Sequence, residues 1–287
     1  MLRQAQHDKH QSTTKQMNQC TNTMNQQKEI KREGEGTAKL FDERSLEADY
    51  ATLFPLLKQG WKVLDVGCGT GAISKGIALK VGANGHVTGI DNTAYFIESG
   101  KETYAAITNL DLIYTDLFSF EPGEKFDLIV AARVLQWLNN PQEAIVKLKS
   151  MLKPGGILSV LDYNHEALEW QPQPPASMQQ FYATFLRWRA DAGMNNHIAE
   201  DLPDYLAEAG LTNVEVLDAN EVYRKGEPNF IKKIGIWSSV AQMTQMVDEG
   251  YIDNNDRLKA IEEYNKWIES DAELMVMNLK EVRGTNN

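Results

Sequence analysis

The chain has 287 residues, 42% of them hydrophobic, which is enough to bury a sizeable core in one elaborated domain and more than a bare binding module needs. Its 40 acidic residues against 29 basic ones give a net charge of −11, which disfavours a nucleic-acid partner because phosphate binding needs a concentrated basic surface. Only Cys20 and Cys68 occur, so a disulfide framework is not expected and a reducing, cytoplasmic setting is; zinc spacing, a secretory apolar segment and a run of about eighteen apolar residues are all missing, so neither a metal nor a membrane is expected.

In chain order, residues 1–36 are dominated by Gln, Asn, Thr and Lys and cannot bury enough apolar area to offset ordering, so they read as a disordered polar extension. Residues 37–287 read as one domain. Leu46, Tyr50, Leu53, Phe54 and Leu57 recur at helical spacing and predict a helix that Gly60 stops. Strands are then expected near 62–66, 86–90, 111–114, 126–131 and 157–162, separated by helical patterns. This alternation argues βαβ units in an α/β fold with a doubly wound, mostly parallel sheet whose ligands sit at the strands' carboxyl ends. Past the fifth strand, two insertions are expected to cap that end. One, at about 166–210, has Pro172, Pro174 and Pro175, then a helix bearing Met178, Phe181, Tyr182, Phe185 and Trp188, then a helix near 201–209. The other, at about 228–270, follows a strand over 214–223. It carries Phe230, Ile231, Ile234, Trp237, Met243, Met246 and Val247, and a helix around Leu258, Ile261, Tyr264 and Ile268. A last strand is expected over 274–282.

The chemistry concentrates in Val63-Leu64-Asp65-Val66-Gly67-Cys68-Gly69-Thr70-Gly71, a buried strand running into a glycine turn with a carboxylate beside it and a helix after it. Such a turn lets backbone approach a ligand at a helix N-terminus. Gly67-x-Gly69-x-x-Ala72 also satisfies the dinucleotide fingerprint, so both a dinucleotide and S-adenosylmethionine fit the loop. A pyrophosphate would be repelled by Asp65, whereas the ammonium and sulfonium of S-adenosylmethionine would be attracted. Asp91, 91 − 67 = 24 residues past Gly67, would bind a ribose diol in either case.

Five segments in register resemble the class I S-adenosylmethionine-dependent methyltransferases of small-molecule type. Val63 to Gly71 resembles their first motif, Val87 to Asp91 their second strand and ribose acid, and Tyr114-Thr115-Asp116-Leu117 their adenine clamp. Phe126 to Ala132 resembles their fourth strand, and Leu152-Lys153-Pro154-Gly155-Gly156 the turn into the fifth. The resemblance covers about residues 37–165 and implies a Rossmann-like, seven-stranded sheet. It also implies that Asp65, Cys68 and the backbone of Gly67, Gly69 and Gly71 hold the methionine end, and Asp91 with Asn92 the ribose. Asp116 would accept from the adenine amino group, Leu117 pack on the ring, and Ala132 line the pocket. Asp116 also suits a simple helix N-cap.

Methyl transfer asks chiefly for alignment and dryness, and for a base only if the acceptor arrives protonated. His165, in Asp162-Tyr163-Asn164-His165 at the end of strand five, is the candidate base, against the alternative of a surface-loop histidine; His197 is weaker. Leu135-Gln136-Trp137-Leu138 resembles a stretch of small-acid methyltransferases, in which Trp137 would shield the sulfonium. Tyr163, Phe181, Phe185 and Trp188 are candidate acceptor contacts, with plain core packing as the alternative for the aromatic helix. Quinone-ring methyltransferases have a similar core, but Arg133-Val134-Leu135-Gln136-Trp137 lacks their downstream signature, which makes a carbon acceptor less favoured. The expected activity is methyl transfer to a small molecule by a monomer or homodimer. The rivals are an RNA or protein methyltransferase, a non-catalytic cofactor sensor and an NAD-dependent dehydrogenase.

Overall fold

The computed structural model describes residues 44–287 together with Lys28 and Ile30, so the extension expected over 1–36, with Cys20, falls outside the described residues apart from those two. Eight strands form one sheet: β1 (Lys62–Val66), β2 (His86–Asp91), β3 (Leu110–Tyr114), β4 (Phe126–Ala132), β5 (Leu152–Gln171), β6 (Thr212–Asp218), β7 (Glu221–Arg224) and β8 (Leu274–Thr285). Their order is β3-β2-β1-β4-β5-β8-β6, with β7 also paired to β8. The first five are parallel, and β8 runs antiparallel between β5 and β6. Val63, Leu64 and Val66 are buried because β1 is a central strand with helices on both sides.

The helices are α1 (Leu46–Asp49), α2 (Ala72–Val81), α3 (Ala94–Thr103), α4 (Pro141–Ser150), α5 (Ala176–Asp191), α6 (Ile198–Glu208), α7 (Phe230–Ile234), α8 (Ile236–Ala241), α9 (Gln245–Asp248) and α10 (Asn254–Ser270). Ile145 and Leu148 of α4 and Ile198, Leu202 and Leu206 of α6 share one apolar core with Leu64, Ile129 and Leu158 of the sheet. Fully burying such side chains stabilises by about 1.5–3 kcal/mol each.

Four expectations change. The helix expected before Gly60 is a single turn, α1, followed by turns closed by i→i−3 bonds such as Leu53 N to Tyr50 O and Leu56 N to Leu53 O. Pro55 has no N–H and biases Phe54 away from helical backbone, yet Leu46, Tyr50, Leu53 and Leu57 are still buried as the spacing required. Strand five does not end at residue 162. It pairs with β8 up to Asn164, bulges, and pairs again from Glu169 to Gln171, so residues 166–171 are strand rather than the start of an insertion. The strand expected over 214–223 is two strands, parted where Asp218 Oδ1 accepts from Asn220 N and Asn220 Oδ1 accepts from Leu279 N. Finally α6 packs on β5, β6 and β8 as part of the main layer, so the cap consists of α5 and α7 to α10 standing on the long ends of β5, β7 and β8.

Candidate functional site

The loop after β1 is built to turn tightly: Gly67, Gly69 and Gly71 all hold positive φ, at 66°, 57° and 85°. A Cβ on Gly67 would meet Val134 Cγ2 at 2.5 Å, and one on Gly71 would meet Leu112 at 2.9 Å, so the loop is pressed against the ends of its neighbours. Most of its N–H groups are satisfied within the protein. Gly67 N and Cys68 N both donate to Ile90 O, Gly69 N donates to Asp91 Oδ2 at 2.9 Å, and Gly71 N to Cys68 O at 2.9 Å. Cys68 Sγ points at β2, where a Cβ on Gly89 would lie 2.9 Å from it, and burial keeps the thiol protonated.

Asp65 is 3% exposed and accepts from Ser74 Oγ at 2.6 Å. Burial pushes its carboxyl up to about 7, with the Asp91 charge adding to the rise and the Ser74 bond opposing it. No basic side chain among the described residues pairs with Asp65, so a cation brought by a ligand would relieve it. Asp91 accepts from Gly69 N on one oxygen and Thr93 N on the other, which leaves each oxygen a lone pair for a ribose hydroxyl; Asn92 beside it is exposed. Asp116 is exposed just past β3 and accepts from Phe118 N at 2.8 Å, closing a turn rather than capping a helix. Leu117 is buried against the main core, and Ala132 is half-buried at the end of β4. Asp65, Gly67, Asp91, Asp116 and Ala132 are thus all gathered at the carboxyl ends of β1 to β4, and this donor set fits S-adenosylmethionine.

A second group lies at the ends of β4 and β5. His165 sits in the β5 bulge, only 6% exposed, so it is not a surface-loop histidine. Its Nε2 is 2.6 Å from Gln136 Oε1, and Gln136 Nε2 donates to Arg133 O at 3.3 Å, which fixes the amide. His165 therefore carries its proton on Nε2 and keeps a lone pair on Nδ1; burial and the Arg189 charge hold it well below the usual histidine value, hence neutral. Tyr163 stacks on the imidazole at 5.1 Å, and Phe185 and Trp237 meet it edge-on. Gln136 is the hub: its N–H donates to Asp162 Oδ2 at 3.0 Å, and its carbonyl accepts from Arg189 Nη2 at 2.9 Å. Burial pushes Asp162 up to about 7.

The remaining aromatic candidates are placed differently. Phe181 and Trp188 are buried in the cap core, with Trp188 Nε1 donating to Glu249, while Phe185 also borders His165. The Trp137 ring lies 4.7 Å from the Arg189 guanidinium, so the protein supplies its own cation there. His197 is at the surface beside Asp201 and Glu166. Residue patterns gave no sign of Arg133 or Arg189: the first is recruited by a left-handed backbone at φ 62°, the second is the buried one of two arginines in an aromatic helix.

A family model described as a methyltransferase domain matches residues 57–223, more than half of the chain. The chain belongs to that methyltransferase family. It is a class I S-adenosylmethionine-dependent methyltransferase with a Rossmann-like fold, and the dehydrogenase reading is set aside. A demethylmenaquinone methyltransferase of Staphylococcus aureus is 29% identical over 180 residues, 56% of this chain and 71% of that protein. Among solved structures, a methyltransferase of Aquifex aeolicus that depends on S-adenosylmethionine aligns with a TM-score of 0.51 at 17% identity, over 88% of this chain and 98% of the other. Phosphoethanolamine N-methyltransferase 2 of Haemonchus contortus, bound to phosphomonomethylethanolamine and S-adenosylhomocysteine, aligns at 0.52 and 14% identity. This methyltransferase spans about half of that nematode chain, with 88% of its own length and 53% of the other covered, and at such identity both structures support the fold alone. No helix among the described residues is long and apolar enough to cross a membrane.

Proposed function

We propose that this methyltransferase acts on a small molecule held between the β4–β5 rim and the helical cap. The observation that carries this reading is the position of His165: it stands at the β5 rim, two strands from the one that bears the cofactor loop, and Phe185 of α5 and Trp237 of α8 close over it. A lid of that kind leaves little room for a folded RNA or protein, and the net charge of −11 gives RNA no basic track. The demethylmenaquinone methyltransferase relative supports a small acceptor as well, and brings a quinone enzyme into a comparison that the Arg133 to Trp137 stretch had disfavoured.

In this reading Asp65 and the loop backbone at Gly67, Gly69 and Gly71 hold the methionine end of the cofactor, Asp91 with Asn92 the ribose, Asp116 and Leu117 the adenine, and Ala132 borders the methyl. S-adenosylmethionine supplies an electrophilic methyl on a positive sulfur. The cap excludes water and aligns the acceptor, and His165 Nδ1 accepts its proton or hydrogen bond. A cytoplasmic location and action as a monomer or homodimer belong to the same reading, the first supported by the free Cys68 thiol.

The test is S-adenosylhomocysteine release with a panel of small phenols, acids and quinols, set against bulk RNA and unfolded protein. Turnover confined to small acceptors is expected. Turnover on RNA or protein alone would overturn the reading.

A further inference from the structure

His165 is held at three points. Its backbone N–H donates to Asn196 O at 2.7 Å, its carbonyl accepts from Tyr182 Oη at 2.6 Å, and its Nε2 meets Gln136 Oε1 at 2.6 Å. Gln136 is buried and cannot reverse its amide, because its Nε2 faces the carbonyl of Arg133, which can only accept. The main chain at Gln136 is fixed as well: its N–H donates to Asp162, and its carbonyl accepts from Arg189, whose Nε donates in turn to Asn196 Oδ1. The imidazole is thus oriented by the segment after β4, by α5 and by the segment before α6, and these bonds leave one of its nitrogens out.

That nitrogen is Nδ1. Among the described residues no group bonds it, and it is not one of the wholly buried atoms that lack a partner, so the small exposure that His165 retains reaches it. Tyr163 stacks on the ring, and Phe185 and Trp237 stand edge-on to it, so a molecule approaching Nδ1 meets aromatic walls around one polar atom. With the proton on Nε2, that atom is a hydrogen-bond acceptor. A carboxylate or ether oxygen brought there would set lone pair against lone pair, whereas a hydroxyl or an N–H would complete the bond.

We propose that Gln136 is a positioning residue that selects the methyl acceptor: by holding the Nε2–H of His165 it keeps Nδ1 bare, so the acceptor is a small molecule that brings a hydroxyl or N–H of its own, not a carboxylate. The proposal rests on the small-acceptor reading above and narrows it. As the O–H or N–H bond of the acceptor breaks, Nδ1 takes the proton. The electron pair of that oxygen or nitrogen forms the bond to the methyl carbon, the pair of the broken carbon–sulfur bond stays on sulfur, and the imidazolium then releases its proton to solvent. The weak basicity of His165 suits that release.

The test is nitrogen-15 NMR at pH 8 of protein labelled at its five histidines and saturated with S-adenosylhomocysteine, with His165 assigned by its loss in His165→Asn. The wild type is expected to show a pyrrole-type Nε2 and a pyridine-type Nδ1 at His165. Phenol is expected to move the Nδ1 resonance and to bind about threefold or more tighter than anisole, as one neutral hydrogen bond allows, while benzoate leaves the resonance in place. In Gln136→Met both nitrogens become intermediate between the two types and the preference for phenol falls to within about twofold; Gln136→Glu, ionised at this pH and still an acceptor, restores both. S-adenosylhomocysteine affinity reports folding of each variant, and if Gln136→Met fails that check, Gln136→Asn, one methylene too short to reach the ring, takes its place. A proton on Nδ1 in the wild type, an Nδ1 resonance that phenol does not move or that benzoate moves equally, or a tautomer unchanged when the amide is lost overturns this proposal alone. Failure of the wild type to bind S-adenosylhomocysteine, or turnover on RNA or protein alone, overturns the underlying reading instead.

Discussion

Asp91 Oδ2 accepts the N–H of Gly69 at 2.9 Å, so the acid that ends β2 also sets the shape of the glycine loop that ends β1. Replacing it removes a strut of the loop and, in the proposed site, the hydrogen bonds to the ribose. Asp91→Ala is expected to weaken S-adenosylhomocysteine binding by about 1.5–3 kcal/mol, read by calorimetry. Unchanged affinity would remove Asp91 from the site.

Asp65 links the cofactor to pH. Its folded-state pKa is about 7, above the ordinary 3.8, so between those values the folded protein holds a proton that the unfolded chain has lost. Stability of the ligand-free protein therefore falls as pH rises from about 4 to 7, and the full cost of the buried charge, at most about 4 kcal/mol, is present above that range. Asp65→Asn should raise the melting temperature at pH 8 and leave it unchanged near pH 4. The same change should weaken S-adenosylmethionine binding at pH 8, because in the proposed site the ionised carboxylate meets the ammonium. A variant no more stable than wild type at pH 8 would contradict the buried-charge assignment.

The glycine loop was legible from Val63 to Gly71 because strand, turn and helix each impose their own residue types, and the parallel order followed from the alternation around it. What the linear pattern hid was reach. Nothing local distinguishes residues 166–171 from a loop, because their strand character comes from pairing with β8 more than a hundred residues on. Helical spacing at Leu46 to Leu57 identified the buried face but not the backbone, since Pro55 interrupts the helix without disturbing burial. Arg133 stayed hidden for a third reason: its burial against Tyr163 and Asp49 follows a positive φ that its residue type does not announce.

His165 is neutral across the physiological range, since its pKa lies well below 6.5. The rate of methyl transfer should not fall through loss of this base until the pH drops below that ordinary value. His165→Asn should lower kcat by about 10²-fold or more while leaving S-adenosylhomocysteine affinity within about threefold, checked by steady-state rates beside calorimetry. An unchanged kcat would leave His165 a packing residue.

Gly100 of α3 allows the helix to touch the glycine loop: an added Cβ would overlap Thr70 O and lie 2.7 Å from Leu112 Cδ1. Gly100→Ala must push helix and loop apart and is expected to cost about 1–3 kcal/mol of stability, seen as a lower melting temperature, with weakened cofactor binding. A variant as stable as wild type would mean that the two surfaces are not packed this closely.

The central claim is that the carboxyl ends of β1 to β4 hold S-adenosylmethionine. Calorimetric titration with S-adenosylmethionine, S-adenosylhomocysteine and NAD in parallel tests it most directly. Saturable binding of the first two at one site per chain, with none of NAD, is the expected result; binding of NAD, or of none of the three, would contradict it.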